Sequence, residues 1–354
     1  MELAVGIEPR QEYLSFEVAL GARKLVEHMM LTKPGENLVV TADTSTDWRV
    51  VQATAKAAYA AGAVPTVLWY ETRPNAVMEP PAPVAGAVQR ADVWIEFAYA
   101  YTLHTPAFKA AMEAGARYIC LTGMDVEMMV KTIARVDIPK LINLGNTLVR
   151  LVAAADEVRI TSPAGTDLVA NTRGRLVRQS GRLAENKGEP VMLGGQVSWS
   201  PVEETINGRL VFDGALFPPM ELGALRNPVA LTLEKGAVTR IEGGYEAQVF
   251  QRWMKSFNDE KMYWLAHYSL GFNPGVPRPT GRIVEDERSF GCIEMGIGSQ
   301  GKHLGGKYWS AASHTDGIVL NPSIYLDGVA IEKEGVYVHP DLIRACQELG
   351  VPGY

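Results

Sequence analysis

Short apolar runs alternate with alanine-rich amphipathic segments through the first half of the chain, the pattern of strands linked by crossover helices into a mostly parallel sheet. The spacing predicts a helix over Glu17 to Leu31, a buried strand over Asn37 to Ala42, a helix over Asp47 to Ala61 closed by Gly62, and a strand over Val64 to Tyr70. The rhythm repeats with a strand over Ala91 to Ala98, a helix over Pro106 to Ala114 closed by Gly115, a strand over Arg117 to Leu121 and a helix over Val126 to Arg135. Asn146 to Ala155 reads as the last helix, and Asp156 to Thr161 as a strand running back.

From Pro163 the period changes. β-Branched runs such as Arg209 to Phe212, Val229 to Leu233 and Ala237 to Ile241 are punctuated by Gly208, Gly214, Gly236 and Gly243-Gly244, and only two helical patterns interrupt them, Glu246 to Lys255 and Asp341 to Leu349. The expected architecture is an α/β N-terminal domain over residues 1–161 with a mostly parallel sheet, followed by a β-rich (α+β) domain over residues 162–354.

Composition narrows the partners. Lys and Arg number 34 against 40 Asp and Glu, a formal charge of −6, which offers no general attraction to nucleic acid or an anionic membrane. No stretch approaches the ~20 apolar residues of a membrane span. The opening MELAVGIEPRQEYLSF shows no leader pattern, with acidic residues ahead of any apolar run. Cys120, Cys292 and Cys346 are odd in number and far apart, so neither a disulfide framework nor a zinc ribbon is expected, and a reducing cytoplasm is the expected setting.

No G-x-G-x-x-G follows the first strand, where the chain reads Val40-Thr41-Ala42-Asp43-Thr44-Ser45, and no P-loop spacing precedes Gly305-Gly306-Lys307. The chemistry rests instead on a few of the six histidines. In His314-Thr315-Asp316 an imidazole and a carboxylate lie two apart; on a strand both leave one face, ~7 Å apart at Cα, near enough for one metal. The ordinary alternative is a strand-end histidine beside a turn aspartate. His267 lies 47 residues upstream in the apolar segment Trp264 to Gly271, where the ordinary alternative is a core histidine bonded to backbone. Joined, His267, His314 and Asp316 are two imidazoles and a carboxylate, a set used by mononuclear non-haem Fe(II) and by hydrolytic zinc. Two more carboxylates are candidates for the metal. Glu246 opens a helix, where the helix N-terminus alone would favour it. Glu294 is isolated in the apolar run Phe290 to Met295, unless the strand exposes that face. His104 follows a parallel strand at its carboxyl end, with Thr105 and Pro106 set to start a helix, which makes it either a proton carrier or a solvated loop histidine.

The stretch Thr161 to Leu168, the turn Gly194-Gly195-Gln196-Val197 and the closing His314-Thr315-Asp316 resemble the thermophilic aminopeptidase (M29) family over nearly the whole chain. Within that superfamily the run Glu234 to Gly236, Glu242 to Ala247, Phe257-Asn258-Asp259, His267, Leu270-Gly271 and Asn321 to Asp327 is more similar to the 2,5-dihydroxypyridine 5,6-dioxygenase branch. The resemblance implies that His267, His314 and Asp316 bind one Fe(II), that His104 is the acid/base and that Arg288 contacts substrate. Gln196 and His267 stand where the peptidases carry glutamate ligands, and Glu294 where they carry a histidine, which argues against an intact two-metal peptidase site. The implied activity is an Fe(II)-dependent extradiol-type ring-cleaving dioxygenase taking O2 and a dihydroxypyridine or related small aromatic or N-heterocyclic substrate, assembled as a homodimer or higher homo-oligomer. The alternative is a metal-dependent hydrolase, an amidase or M29-like aminopeptidase, in which the same ligands hold Zn(II) and Glu246 or Glu294 is the base.

Overall fold

A computed structural model describes residues 10–74 and 78–354, so most of the opening stretch in which a leader was sought lies outside the described residues. The chain forms two compact units, one reaching to Val136 and taking in Arg182–Leu193, the other made of Asp137–Gly181 and Gly194–Tyr354.

The first unit is α/β, as expected. Its sheet is all parallel, in the order Val64–Tyr70, Asn37–Asp43, Val93–Glu96, Arg117–Cys120, Pro190–Met192. Val93–Glu96 and Arg117–Cys120 are buried at every residue, Glu96 and Arg117 included, as expected of strands covered on both faces. The crossover helices start at real caps: Asp47 accepts from the Arg49 N–H ahead of Trp48–Ala60, and Thr105 accepts from the Phe108 N–H with Pro106 opening Pro106–Glu113.

The second unit is β-rich. One antiparallel sheet has eight strands, with Asp167–Asn171, Glu157–Thr161 and Ser323–Leu326 adjacent near its middle; the other has seven, in which Trp309–Val319, Cys292–Gln300, Leu265–Gly271 and Gln196–Trp199 are neighbours. Gly317 brings the sheets together, since a Cβ there would fall 2.5 Å from the Phe212 ring. Thr315, Gly317 and Val319 therefore point into the core, and the alternation of the strand sends His314 and Asp316 to its other face.

The start of one helix is corrected, and strands pair across the boundary expected near residue 161. The helix expected over Asn146 to Ala155 spans Ile138–Ala154, beginning about two turns earlier at an Asp137 cap, with Pro139 in its first turn. It lies against the Pro340–Leu349 helix, with an Arg150–Asp341 ion pair of 2.6 Å between them, and Gly145 lets it approach Gln179 and Phe272. That packing ties it to the second unit, so the units divide differently from the split expected at residue 161. Glu157–Thr161 likewise joins the antiparallel sheet, between Asp167–Asn171 and Ser323–Leu326. Conversely, Pro190–Met192 returns to complete the parallel sheet beside Arg117–Cys120. Such pairings are made between segments distant in sequence, and local periodicity does not report them. Among the described residues no helix is long and apolar enough to cross a membrane.

Candidate metal centre

Antiparallel register gathers the site on one face of the seven-stranded sheet. His267 lies opposite Gly296, which on its other side lies opposite Asp316; Ser269 lies opposite both Glu294 and Ser198, and Gly298 opposite His314. Directly opposed residues share a face, so His267, Ser269, Glu294, Gly296, His314 and Asp316 form one patch. Gly296 is its floor. A Cβ there would lie 2.3 Å from His267 Cε1 and 2.8 Å from His314 Cε1, and the bare glycine lets the two imidazoles stack over the strand with ring centroids 5.2 Å apart.

Donor atoms of His267, His314 and Asp316 all lie within 4.8 Å of one another. His314 Nε2 is 2.9 Å from Asp316 Oδ1, and His267 Nε2 is 3.7 Å from the same oxygen. His314 Nδ1 is 2.9 Å from the Ser299 carbonyl, which only accepts, so Nδ1 carries the proton and Nε2 is the atom turned into the cluster. A backbone acceptor on the far nitrogen is how metal-binding imidazoles are oriented. Two imidazole nitrogens, one carboxylate and a small floor fit a divalent transition metal.

The protein's own charges are unevenly held. Burial would raise Asp316, but the His314 and His267 imidazoles hold its carboxyl well below the usual range. Burial works against a charged His314, yet the Asp316 carboxylate keeps its imidazole above the ordinary histidine value. His267 is lowered, first by burial.

Glu294 is not on an exposed face, the ordinary alternative for it. It is 1 % exposed, its Oε1 lies 3.1 Å from His267 Nε2, and burial followed by the Asp316 and Glu287 charges pushes it well above the usual glutamate range. Glu246 does not join the group: it sits in the first turn of Tyr245–Ser256, where its carboxylate accepts from the N–H and side-chain amide of Asn227. Arg288 is buried, with Nη1 donating to the Val284 carbonyl and, at 3.0 Å, to Glu287.

Sequence reasoning missed Glu287. Its Oε2 also accepts from Gln196 Nε2 at 3.2 Å, and Gln196 Nε2 reaches Glu294 Oε2 at 3.4 Å. An Arg288, Glu287, Gln196, Glu294 chain thus borders the cluster. The adjacent Arg288 was the one signal that could have found Glu287.

In the first unit, His104 has φ 72°, a left-handed conformation costly for a residue with a Cβ. Its ring meets Phe108 edge-on at 6.2 Å, and burial, then Lys109, lower it from the ordinary histidine value.

With this geometry in view, comparison with known proteins is specific. The NicX family model, described as 2,5-dihydroxypyridine 5,6-dioxygenase, matches residues 23–339. A 2,5-dihydroxypyridine 5,6-dioxygenase from Pseudomonas putida KT2440 is 28% identical over 254 residues, covering 69% of this chain and 70% of that protein. Among solved structures, the 2,5-dihydroxypyridine dioxygenase of Pseudomonas putida KT2440 superposes with a TM-score of 0.75 at 20% identity, covering 94% of this chain and 99% of that one. Wild-type AmpT from Thermus thermophilus gives 0.68 at 16% identity, covering 92% and 100%. The two structural matches speak to the fold.

Proposed function

Because the chain belongs to the 2,5-dihydroxypyridine 5,6-dioxygenase family, and so is a ring-cleaving dioxygenase, we propose that it opens a dihydroxypyridine or a closely related hydroxylated heteroaromatic, using Fe(II) held by His267, His314 and Asp316. The observation that carries this reading is the convergence of those three donors within 4.8 Å. Two imidazoles and one carboxylate on one side of a metal leave positions open, the arrangement of non-haem Fe(II) oxygenases. Iron so held would supply an electron path between a chelating ring and O2.

The protein's own groups supply position and protons. Ser299 fixes the His314 ring through Nδ1. Asp316 contributes the negative charge, and its placement next to both imidazoles keeps it ionised. Arg288 offsets Glu287 and is proposed to favour an anionic oxygen on the ring. His104 is proposed to take the substrate hydroxyl proton and return it to product; an imidazole held below its ordinary pKa is neutral and ready to accept near pH 7. Three free, buried cysteines agree with a reducing cytoplasmic setting. Association into at least a dimer is proposed from the family resemblance, and sedimentation at working concentration checks it.

The test is turnover of dihydroxypyridines and of amides under air and under argon, with Fe(II) or Zn(II) supplied to protein purified without oxygen. Expected are O2 uptake and loss of ring absorbance with Fe(II) and air only. Full anaerobic amide turnover with Zn(II) would replace this reading with the hydrolase. His104→Ala should keep wild-type metal content while turnover falls by ~10²-fold or more, the usual contribution of a positioned acid/base. Undiminished turnover across pH would remove His104 from the reaction.

A further inference from the structure

We propose that Glu294 is a fourth protein ligand of the metal centre, making it a two-histidine, two-carboxylate site; this rests on the metal reading above. Glu294 is 1 % exposed, and among the described residues its carboxylate meets no lysine or arginine. Oε2 accepts from Gln196 at 3.4 Å. Oε1 is different: it is buried and makes no well-directed hydrogen bond, although His267 Nε2 stands only 3.1 Å away. A buried carboxylate oxygen left without a donor is costly.

The same 3.1 Å has a simple meaning if both atoms face one ion. Metal bonds of ~2.1 Å at right angles put neighbouring donors ~3.0 Å apart. His314 Nε2 and Asp316 Oδ1, at 2.9 Å, show the same spacing. Charge points the same way. Asp316 and Glu294 approach each other on adjoining strands, and the neighbouring Glu287 carboxylate is paired with Arg288. A divalent cation shared by two carboxylates and two neutral imidazoles brings the cluster to neutrality, whereas the three-ligand set leaves a net positive charge buried beside a carboxyl group.

The competing role for Glu294 is to accept a hydrogen bond from His267 and hold that ring. Glu294→Gln separates the two, because a glutamine Oε1 still accepts from an imidazole N–H but is a far poorer ligand than a carboxylate. The readouts are Co(II) and Zn(II) affinity by chelator competition and the visible absorption of the Co(II)-loaded protein. A fourth protein ligand predicts at least ~10-fold weaker metal binding in Glu294→Gln and an altered Co(II) spectrum, with circular dichroism and melting of the metal-free protein near wild type. A Glu294→Gln protein with wild-type affinity and spectrum overturns the proposal. Should the glutamine variant misfold, Glu294→Asp, which keeps the charge and shortens the reach, must still change the Co(II) spectrum; an unchanged spectrum overturns the proposal equally. His314→Ala and Asp316→Ala, measured alongside, report on the metal reading itself. If wild type binds no metal, or these two variants bind as it does, that reading fails, whichever way Glu294 behaves.

Discussion

Gly296→Ala is expected to leave the fold in place and to abolish tight metal binding. Gly296 lies in a central strand, paired through backbone to Leu265–Gly271 on one side and Trp309–Val319 on the other, so its Cα cannot withdraw. A methyl there would fall 2.3 Å from His267 Cε1, 2.6 Å from His267 Nδ1 and 2.8 Å from His314 Cε1, all far inside contact distance. The rings must turn away, since they are side chains and the strand is not free to move. Metal donors tolerate displacements of only a few tenths of an ångström, so the ring movement separates the ligands. The expected loss is ~100-fold or more in affinity, at the upper end of what disturbed ligand orientation costs, with turnover falling to background. Chelator competition on the purified variant measures it, and circular dichroism checks the fold. Gly86→Ala, at a helix position with open space around it, is the matched control and should bind metal as wild type does. Wild-type metal affinity in Gly296→Ala would mean that the two imidazoles do not close over this strand.

Glu332→Gln is expected to stabilise the protein, by an amount that grows with pH. Glu332 is fully buried in Val329–Lys333, and neither carboxylate oxygen has a hydrogen-bond partner among the described residues. The titratable groups that feel it, Cys292, Cys346, Tyr337 and Tyr354, bring no positive charge. Burial therefore pushes its carboxyl well above the ordinary glutamate range. The native protein then keeps a proton that the unfolded chain has released, and raising the pH favours unfolding. Stability is fully present below the unfolded value of ~4.3 and is lost as pH rises from there toward the native pKa, by up to ~1.4 kcal/mol per pH unit. Glutamine has the same shape and no such dependence. Unfolding free energies of wild type and Glu332→Gln should coincide near pH 4 and separate progressively as the pH rises above it. Glu96, raised by burial to about 7, tilts both curves alike and cancels in the comparison. Parallel curves from pH 4 to 8 would show that Glu332 finds a partner in solution.

What the sequence determined by itself was local. Apolar period and caps placed Val64–Tyr70, Trp48–Ala60 and Pro106–Glu113 within a residue or so, because Asp47, Thr105 and Pro106 act on their own backbone neighbours. Alternation alone put His314 and Asp316 on one face of Trp309–Val319. Everything that depended on which strand lies beside which came only with the tertiary structure. Glu294 looked able to face solvent until antiparallel register set it opposite Ser269 and diagonal to His267, 27 residues upstream. Gly296 looked like any strand glycine until two rings from neighbouring strands closed over it. Glu157–Thr161 joined the antiparallel sheet and Pro190–Met192, which local pattern did not mark as a strand, completed the parallel one, since strand pairing is chosen by burial between distant segments. Side-chain period is written along the chain, whereas register is settled across it, and the convergence of His267, His314 and Asp316 is a product of register.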